Sequence, residues 1–217
     1  VQDGLIRVNP AIGCKLPPKK TREMQVLTRE ELQRFLIQTK FEGYYEVFLL
    51  DLATGLRRGE LLGLKWQDID WKNGIIKVRR QVARVDGEIV EAPLKAKNSY
   101  RSVSISPQAI EVLKQQKAKI NGQYVFPSPN GGPISPDSVN NMLKRVLERA
   151  GIPKVRFHDL RHTAASTMIA NGVDLVTTAA ELGHANANTT ATIYAHQIAI
   201  ARATAADVRA GVFAGRK

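Results

Sequence analysis

The sequence predicts a mainly α-helical domain interrupted by one small antiparallel β-sheet. Three observations predict it. Capping residues and terminal glycines bracket most of the chain into helix-sized segments. A single stretch, beginning near Gly74, switches to β-branched residues that flank an Asp86-Gly87 turn. No internal repeat is present, so one core rather than a stacked array is expected.

Order is expected to begin at Thr28, whose hydroxyl caps a helix while Glu31 reaches back as the other half of a capping box. Leu32, Phe35 and Leu36 then share one face. An apolar helix from Tyr44 to Thr54 stops at Gly55, a residue free to take the left-handed position after a helix, and Glu60 to Leu64 gives a further short turn. Ile75 to Val85 reads as a strand, Glu88 to Ala92 as its return, and Ser102 to Ser106 as a third strand. Helices resume over Pro107 to Ile120 and over Ser135-Pro136 through Ala150, the latter closed by Gly151. His158 to Asn171 stops at Gly172, Asp174 to Leu182 stops at Gly183, and the Ala-rich remainder from Thr189 reads as helical. The opening 1–25 segment, with Pro10, Pro17, Pro18 and the cations Lys15, Lys19, Lys20 and Arg22, reads as an interdomain linker or as a frayed tail.

Composition narrows the class of function. The 217 residues are 43% hydrophobic and 24% charged, as in an ordinary globular protein, and no apolar run approaches the roughly 18 residues of a membrane span. Cys14 is the only cysteine, so no internal disulfide can form, and a reducing, cytoplasmic compartment is expected. Thirty-two Lys and Arg outnumber 20 Asp and Glu, for a net charge of +12. Such a cationic field suits a polyanion, and nucleic acid is the expected partner.

The candidate chemistry gathers late in the chain. All four histidines, His158, His162, His184 and His196, lie in the last third, beside Arg161 and Tyr194. Helical spacing sets His158, Arg161 and His162 near one another. A metal pair at His158 and His162 is disfavoured, because the permanent cation at Arg161 opposes a dication. Arg57 stands where an apolar helix stops and the chain turns. There its planar fork can bind phosphate oxygens, or can pair with Glu60 in a solvated turn.

Three motifs together carry a family resemblance. Ala53-Thr54-Gly55-Leu56-Arg57-Arg58-Gly59-Glu60-Leu61 resembles the first arginine motif of tyrosine recombinases, the phage-integrase family. His158-Asp159-Leu160-Arg161-His162-Thr163 resembles its H-x-x-R box, and Leu182-Gly183-His184 followed by Ile193-Tyr194-Ala195-His196 resembles its terminal segment. The likeness spans nearly the whole chain and is strongest to integrases of phages and conjugative transposons. It implies a DNA breaking-rejoining catalytic domain over 26–197, an absent N-terminal core-binding domain before the linker, and a tail at 198–217 that packs on a neighbouring subunit or in cis.

The resemblance also implies roles. Tyr194 would attack a DNA phosphodiester to give a 3′-phosphotyrosyl bond, with His158 fitting the proton acceptor. Arg57 and Arg161 would hold the non-bridging oxygens, and His184 would donate a hydrogen bond to one of them, although a histidine beside a helix-ending glycine is also an ordinary structural feature. The general acid would be Lys97, with Lys95 as the competing choice. Glu60 and Asp159 would orient their arginine neighbours, whereas His162 and His196 are read as structural or auxiliary. No cofactor or metal is expected. The expected partners are double-stranded DNA, further copies of the chain in a tetrameric synapse, and accessory DNA-bending or excision proteins; no membrane partner is expected. A non-catalytic DNA-binding relative and a type IB topoisomerase-like enzyme are the alternatives.

Overall fold

A computed structural model of the protein describes residues 5–14, 24–94, 96, 99–184, 190, 191 and 194. Seven α-helices, one 3₁₀ turn and five strands lie within them. The helices are α1 (Arg29–Phe41), α2 (Tyr45–Thr54), α3 (Arg58–Leu62), α4 (Pro107–Lys119), α5 (Pro136–Ala150), α6 (Phe157–Ala170) and α7 (Leu175–Leu182). The strands are β1 (Ile69–Asp70), β2 (Ile75–Val78), β3 (Gln81–Val85), β4 (Glu88–Ala92) and β5 (Arg101–Ser104). The expected mainly α architecture is thus present.

Local chemistry sets the helix ends. The Thr28 hydroxyl accepts from the Glu31 amide at 3.2 Å while the Thr28 amide donates to Glu31 at 2.8 Å, completing the capping box. α5 starts with Ser135 as cap and Pro136 in its first turn, and ends at left-handed Gly151. Along it Val139, Leu143, Val146 and Leu147 are buried, a spacing that lays one face on the core. α2 is apolar nearly all round, with Val47, Phe48 and Leu50 buried, because it packs against α1, α4 and α6. Phe48 joins these layers: its ring meets Phe35 edge-on at 5.2 Å and Phe157 at 6.1 Å.

The β region corrects the single-sheet expectation. Ile75 to Val85 is two strands, and they belong to different sheets. β2 lies between β1 and β5 in an antiparallel three-stranded sheet, with Ile76 opposite Val103, whereas β3 and β4 form a separate hairpin. The break falls at Arg79-Arg80. There the Arg80 guanidinium turns onto buried Asp68 and donates to the Gly63 carbonyl at 3.3 Å, which takes the chain out of the first sheet. The hairpin turn itself is as predicted, with Asp86 and Gly87 both at positive φ. Ser106 caps α4 rather than ending a strand, its hydroxyl accepting from the Ala109 amide.

Close approach of α3 to the hairpin places the first arginine motif. A Cβ on Gly59 would stand 2.7 Å from the Val82 carbonyl oxygen, so only glycine lets α3 sit so near β3. Gly59→Ala is expected to lower stability by about 1–3 kcal/mol, the usual cost of overpacking. Urea unfolding of the variant beside wild type measures it.

Candidate active site

Two helices end at the same place. α2 stops at Gly55 (φ 58°) and α7 at Gly183 (φ 66°), each glycine in the left-handed conformation that frees the last carbonyls to point outward. A Cβ on Gly55 would stand 2.7 Å from Leu182, so the two ends are in direct contact. Helix C-terminal carbonyls lack partners within the helix and carry partial negative charge. The site is built on them.

Arg161, on α6, is 2% exposed and donates to the Gly55 carbonyl at 2.6 Å and to the Leu182 carbonyl at 2.5 Å. Arg57, the residue before α3, donates to the Gly183 carbonyl at 2.9 Å and to Glu60 at 2.7 Å. Arg101, opening β5, donates through Nε to the Glu181 carbonyl at 2.7 Å and through Nη2 to Glu60 at 3.0 Å. Three successive carbonyls of α7 therefore hold three guanidiniums, with the buried carboxylate of Glu60 between two of them.

The electrostatics follow from that grouping. Burial, then the neighbouring Arg57 and Arg101 charges, pull the Arg161 pKa down to about 10, which leaves it protonated at neutral pH. Burial raises the Glu60 pKa, but Arg101 and Arg57 more than offset this and hold it below the ordinary glutamate value. Each of Arg57 and Arg161 makes two side-chain hydrogen bonds within the described residues, which leaves three of five N–H donors without a described partner. Such forks suit the non-bridging oxygens of a phosphodiester.

Tyr194 lies against the same helix end. It is 1% exposed, packs with Ala165 and Leu182, and its hydroxyl is 2.9 Å from His162 Nδ1. Burial pushes the phenol well above its ordinary pKa, so it is protonated, and Arg161 only partly opposes this. Burial and His158 pull His162 down to about 4, so that ring is neutral. The two histidine rings stand 4.7 Å apart, edge to face. His184 Nδ1 is 2.8 Å from the Thr190 hydroxyl, and burial together with Arg161 and Arg57 lowers its pKa to about 4. Where Thr190 donates to Nδ1, the imidazole hydrogen sits on Nε2, ready for an acceptor.

His158 is exposed on a cleft of about 780 Å³ whose walls carry Arg58, Lys144, Lys154 and Arg156 from α3, α5 and the approach to α6, with Asn140 and Asn141 beside them. This is a cationic groove with amide groups, a surface suited to a nucleic-acid backbone and base edges.

The family profile of the phage integrases, "Phage integrase family", matches residues 25–199. The chain belongs to the phage integrase family. A XerC-like tyrosine recombinase of Caldanaerobacter subterraneus subsp. tengcongensis is 33% identical over 91% of this integrase-family chain and 58% of its own length. The ICEBs1 integrase of Bacillus subtilis is 29% identical over 90% of this chain and 57% of its own. The chain thus spans little more than half the length of these curated relatives. Among solved structures, the Tn1549 transposon integrase in complex with a circular intermediate DNA shares the fold with a TM-score of 0.77, at 22% identity, covering 89% of this chain and 69% of that one. A lambda integrase tetramer bound to a Holliday junction matches with a TM-score of 0.62 at 21% identity, over 85% of this chain and 54% of that one.

Of the residues expected in the site of this phage integrase family member, the structure brings Arg57, Arg161, His184 and Tyr194 around the end of α7, with His158 at the rim. Lys97, Lys95, His196 and the tail at 198–217 lie outside the described residues, as does much of the linker. Glu60 bonds Arg57 at 2.7 Å, and Asp159 bonds its arginine neighbour Arg156 at 2.6 Å. Two participants were missed. Arg101 precedes the strand expected at Ser102 to Ser106 and carries no local signal, since its partner carbonyl is 80 residues away in sequence. His162 was set aside, although its place one residue after Arg161 and four after His158 was a usable signal.

The Glu60 grouping gives a pH prediction. Its folded-state pKa is depressed, so its contribution to stability is present above the unfolded value of about 4.3 and is lost as pH falls through the lower folded value. Urea unfolding between pH 7 and pH 3 is expected to show Glu60→Gln as destabilised at pH 7, by roughly 3–5 kcal/mol for a broken buried pair. The gap to wild type then narrows towards pH 3.

Proposed function

We propose that this domain is the catalytic part of a site-specific DNA recombinase, an integrase that cleaves and rejoins strands through a 3′-phosphotyrosyl intermediate. One observation carries this reading: a buried tyrosine hydroxyl and two phosphate-competent guanidiniums converge on a single helix end. The names of the relatives, integrases and XerC-type recombinases, support it. So does the net charge of +12, which suits duplex DNA as substrate.

In the proposed reaction a scissile phosphate binds the spare donors of Arg57 and Arg161, with His184 Nε2 on a non-bridging oxygen and His158 at the groove edge. Tyr194 Oη gives up its proton to a histidine of α6 and attacks phosphorus; the O–P bond to tyrosine forms as the bond to the 5′-oxygen breaks. The 5′-oxygen takes a proton from the ammonium of Lys97, with Lys95 as the alternative donor. The guanidiniums stabilise the charge of the pentacoordinate transition state, an electrostatic contribution larger in a buried site than in water. Because the phosphotyrosyl bond conserves the phosphodiester's energy, a second strand's 5′-hydroxyl can reverse the step without a nucleotide cofactor. One structural neighbour is a transposon integrase and another is a lambda integrase tetramer bound to a Holliday junction; integration or excision of a mobile element by a comparable assembly on DNA, with accessory DNA-bending proteins and with residues 198–217 reaching a neighbouring subunit, is part of this reading.

The full-length protein is expected to form a covalent adduct with DNA from the ends of its own element when a bridging phosphorothiolate traps the cleaved strand. Tyr194→Phe should abolish the adduct and keep DNA binding. Arg57→Ala should slow its formation by about 10²–10³-fold. Wild type that binds such DNA and never forms the adduct would overturn the proposal.

A further inference from the structure

We infer that His162 is the catalytic residue that takes the proton from Tyr194, with its Nδ1 as the accepting atom. This rests on the phosphotyrosyl reading and assigns a step within it. It moves proton acceptance away from His158, the histidine that the motif resemblance suggests.

The argument begins with contact. Nδ1 of His162 is 2.9 Å from the Tyr194 hydroxyl, hydrogen-bond distance to the atom that must lose a proton before it attacks. His158 has no described hydrogen bond to that oxygen; it is exposed at the groove, and its ring meets His162 instead. The direction of the proton follows from burial. Tyr194 is 1% exposed and His162 6% exposed, so a phenol proton aimed away from Nδ1 would be buried without a partner among the described residues, a cost avoided only when Tyr194 donates to His162. Nδ1 is therefore the lone-pair nitrogen and Nε2 carries the hydrogen. The ring is a neutral base already seated on the nucleophile.

Its surroundings explain why the base is idle until DNA arrives. From α6 itself His158, Arg161 and Asp159 face it, Arg156 stands at the helix start, and His184 faces it from beyond α7. Burial first, and then His158 and the nearby arginines, disfavour the imidazolium in the free protein. A phosphate bound on Arg57 and Arg161 adds negative charge beside them and shifts the balance toward the protonated ring. In the step itself the Tyr194 O–H bond breaks, the proton moves to Nδ1, and the electron pair on Oη forms the bond to phosphorus. The pair of the P–O5′ bond leaves on the 5′-oxygen, which is protonated by the lysine ammonium. Rejoining runs the other way, and His162 returns the proton to Tyr194.

Asparagine at 162 separates base from acceptor, since its amide oxygen can occupy the Nδ1 position and accept from the phenol but cannot take the proton. In the full-length protein, single-turnover adduct formation on the phosphorothiolate duplex is expected to fall by about 10²–10⁴-fold in His162→Asn with DNA binding retained. The wild-type rate should decline as pH falls through the His162 pKa in the complex, and that decline should vanish in His162→Asn yet persist in His158→Asn. An adduct rate in His162→Asn within a few-fold of wild type overturns the assignment while leaving the phosphotyrosyl reading intact; no adduct from wild type overturns both. Ring ¹⁵N shifts of His162 in the unaltered protein give a test that no folding defect can mask: an unprotonated Nδ1 supports the assignment, and a protonated Nδ1 overturns it.

Discussion

The last turn of α7 is the constraint on which the site depends. Three guanidiniums repel one another, and at a few ångströms the repulsion between two unit charges near a protein surface is about 4 kcal/mol. They stay together because the carbonyls of Glu181, Leu182 and Gly183 each accept from one of them and because Glu60 is shared by two. The negative end of the helix thus does in the free protein part of what a phosphate would do in the complex. Gly183 is essential to this. A Cβ there would stand 3.0 Å from Arg101, in a backbone conformation that other residues rarely adopt.

The proposed nucleophile sits under opposite conditions. Tyr194 is buried, protonated and bonded to a neutral imidazole, a pair that carries no net charge and so costs little to bury. Leu182 joins the two parts, since its side chain packs in one cluster with the phenol of Tyr194 while its carbonyl holds Arg161. Asp51 shows what the same interior does to a carboxylate: fully buried on α2 with no hydrogen bond to either oxygen among the described residues, it is pushed well above the ordinary carboxylate range, and Arg161 only partly offsets that.

Much of the fold was legible because its signals are local. Thr28, Ser135, Asp174, Gly55, Gly151 and Gly183 mark helix ends by interactions within four residues, and Asp86-Gly87 marks the hairpin in the same way. The division of the sheet was not legible. The chain leaves the first sheet where Arg80 reaches Asp68, a contact across 12 residues between side chains that look like solvated charges in sequence. The same limit applies to the site. The motif arginines stood out beside glycines and helix stops, whereas Arg101 acquires its place only when α7 packs on β5. His162 was visible, but helical spacing alone cannot say which of two histidines one turn apart faces a tyrosine 32 residues later.

One residue ties the two halves of the site together. The Thr190 carbonyl accepts from the Tyr194 amide at 3.0 Å, and its hydroxyl is 2.8 Å from His184 Nδ1. His184 follows Gly183 directly, and its own amide donates to the Ala179 carbonyl, so it is fixed to the α7 terminus that carries the arginines. Thr190 is itself fully buried, which makes it a stiff link rather than a loose one. In the proposed reaction a phosphate held by His184 Nε2 would therefore be linked through Thr190 to the turn that holds Tyr194. On the proposed reading, the anion site and the nucleophile share one helix end and one threonine.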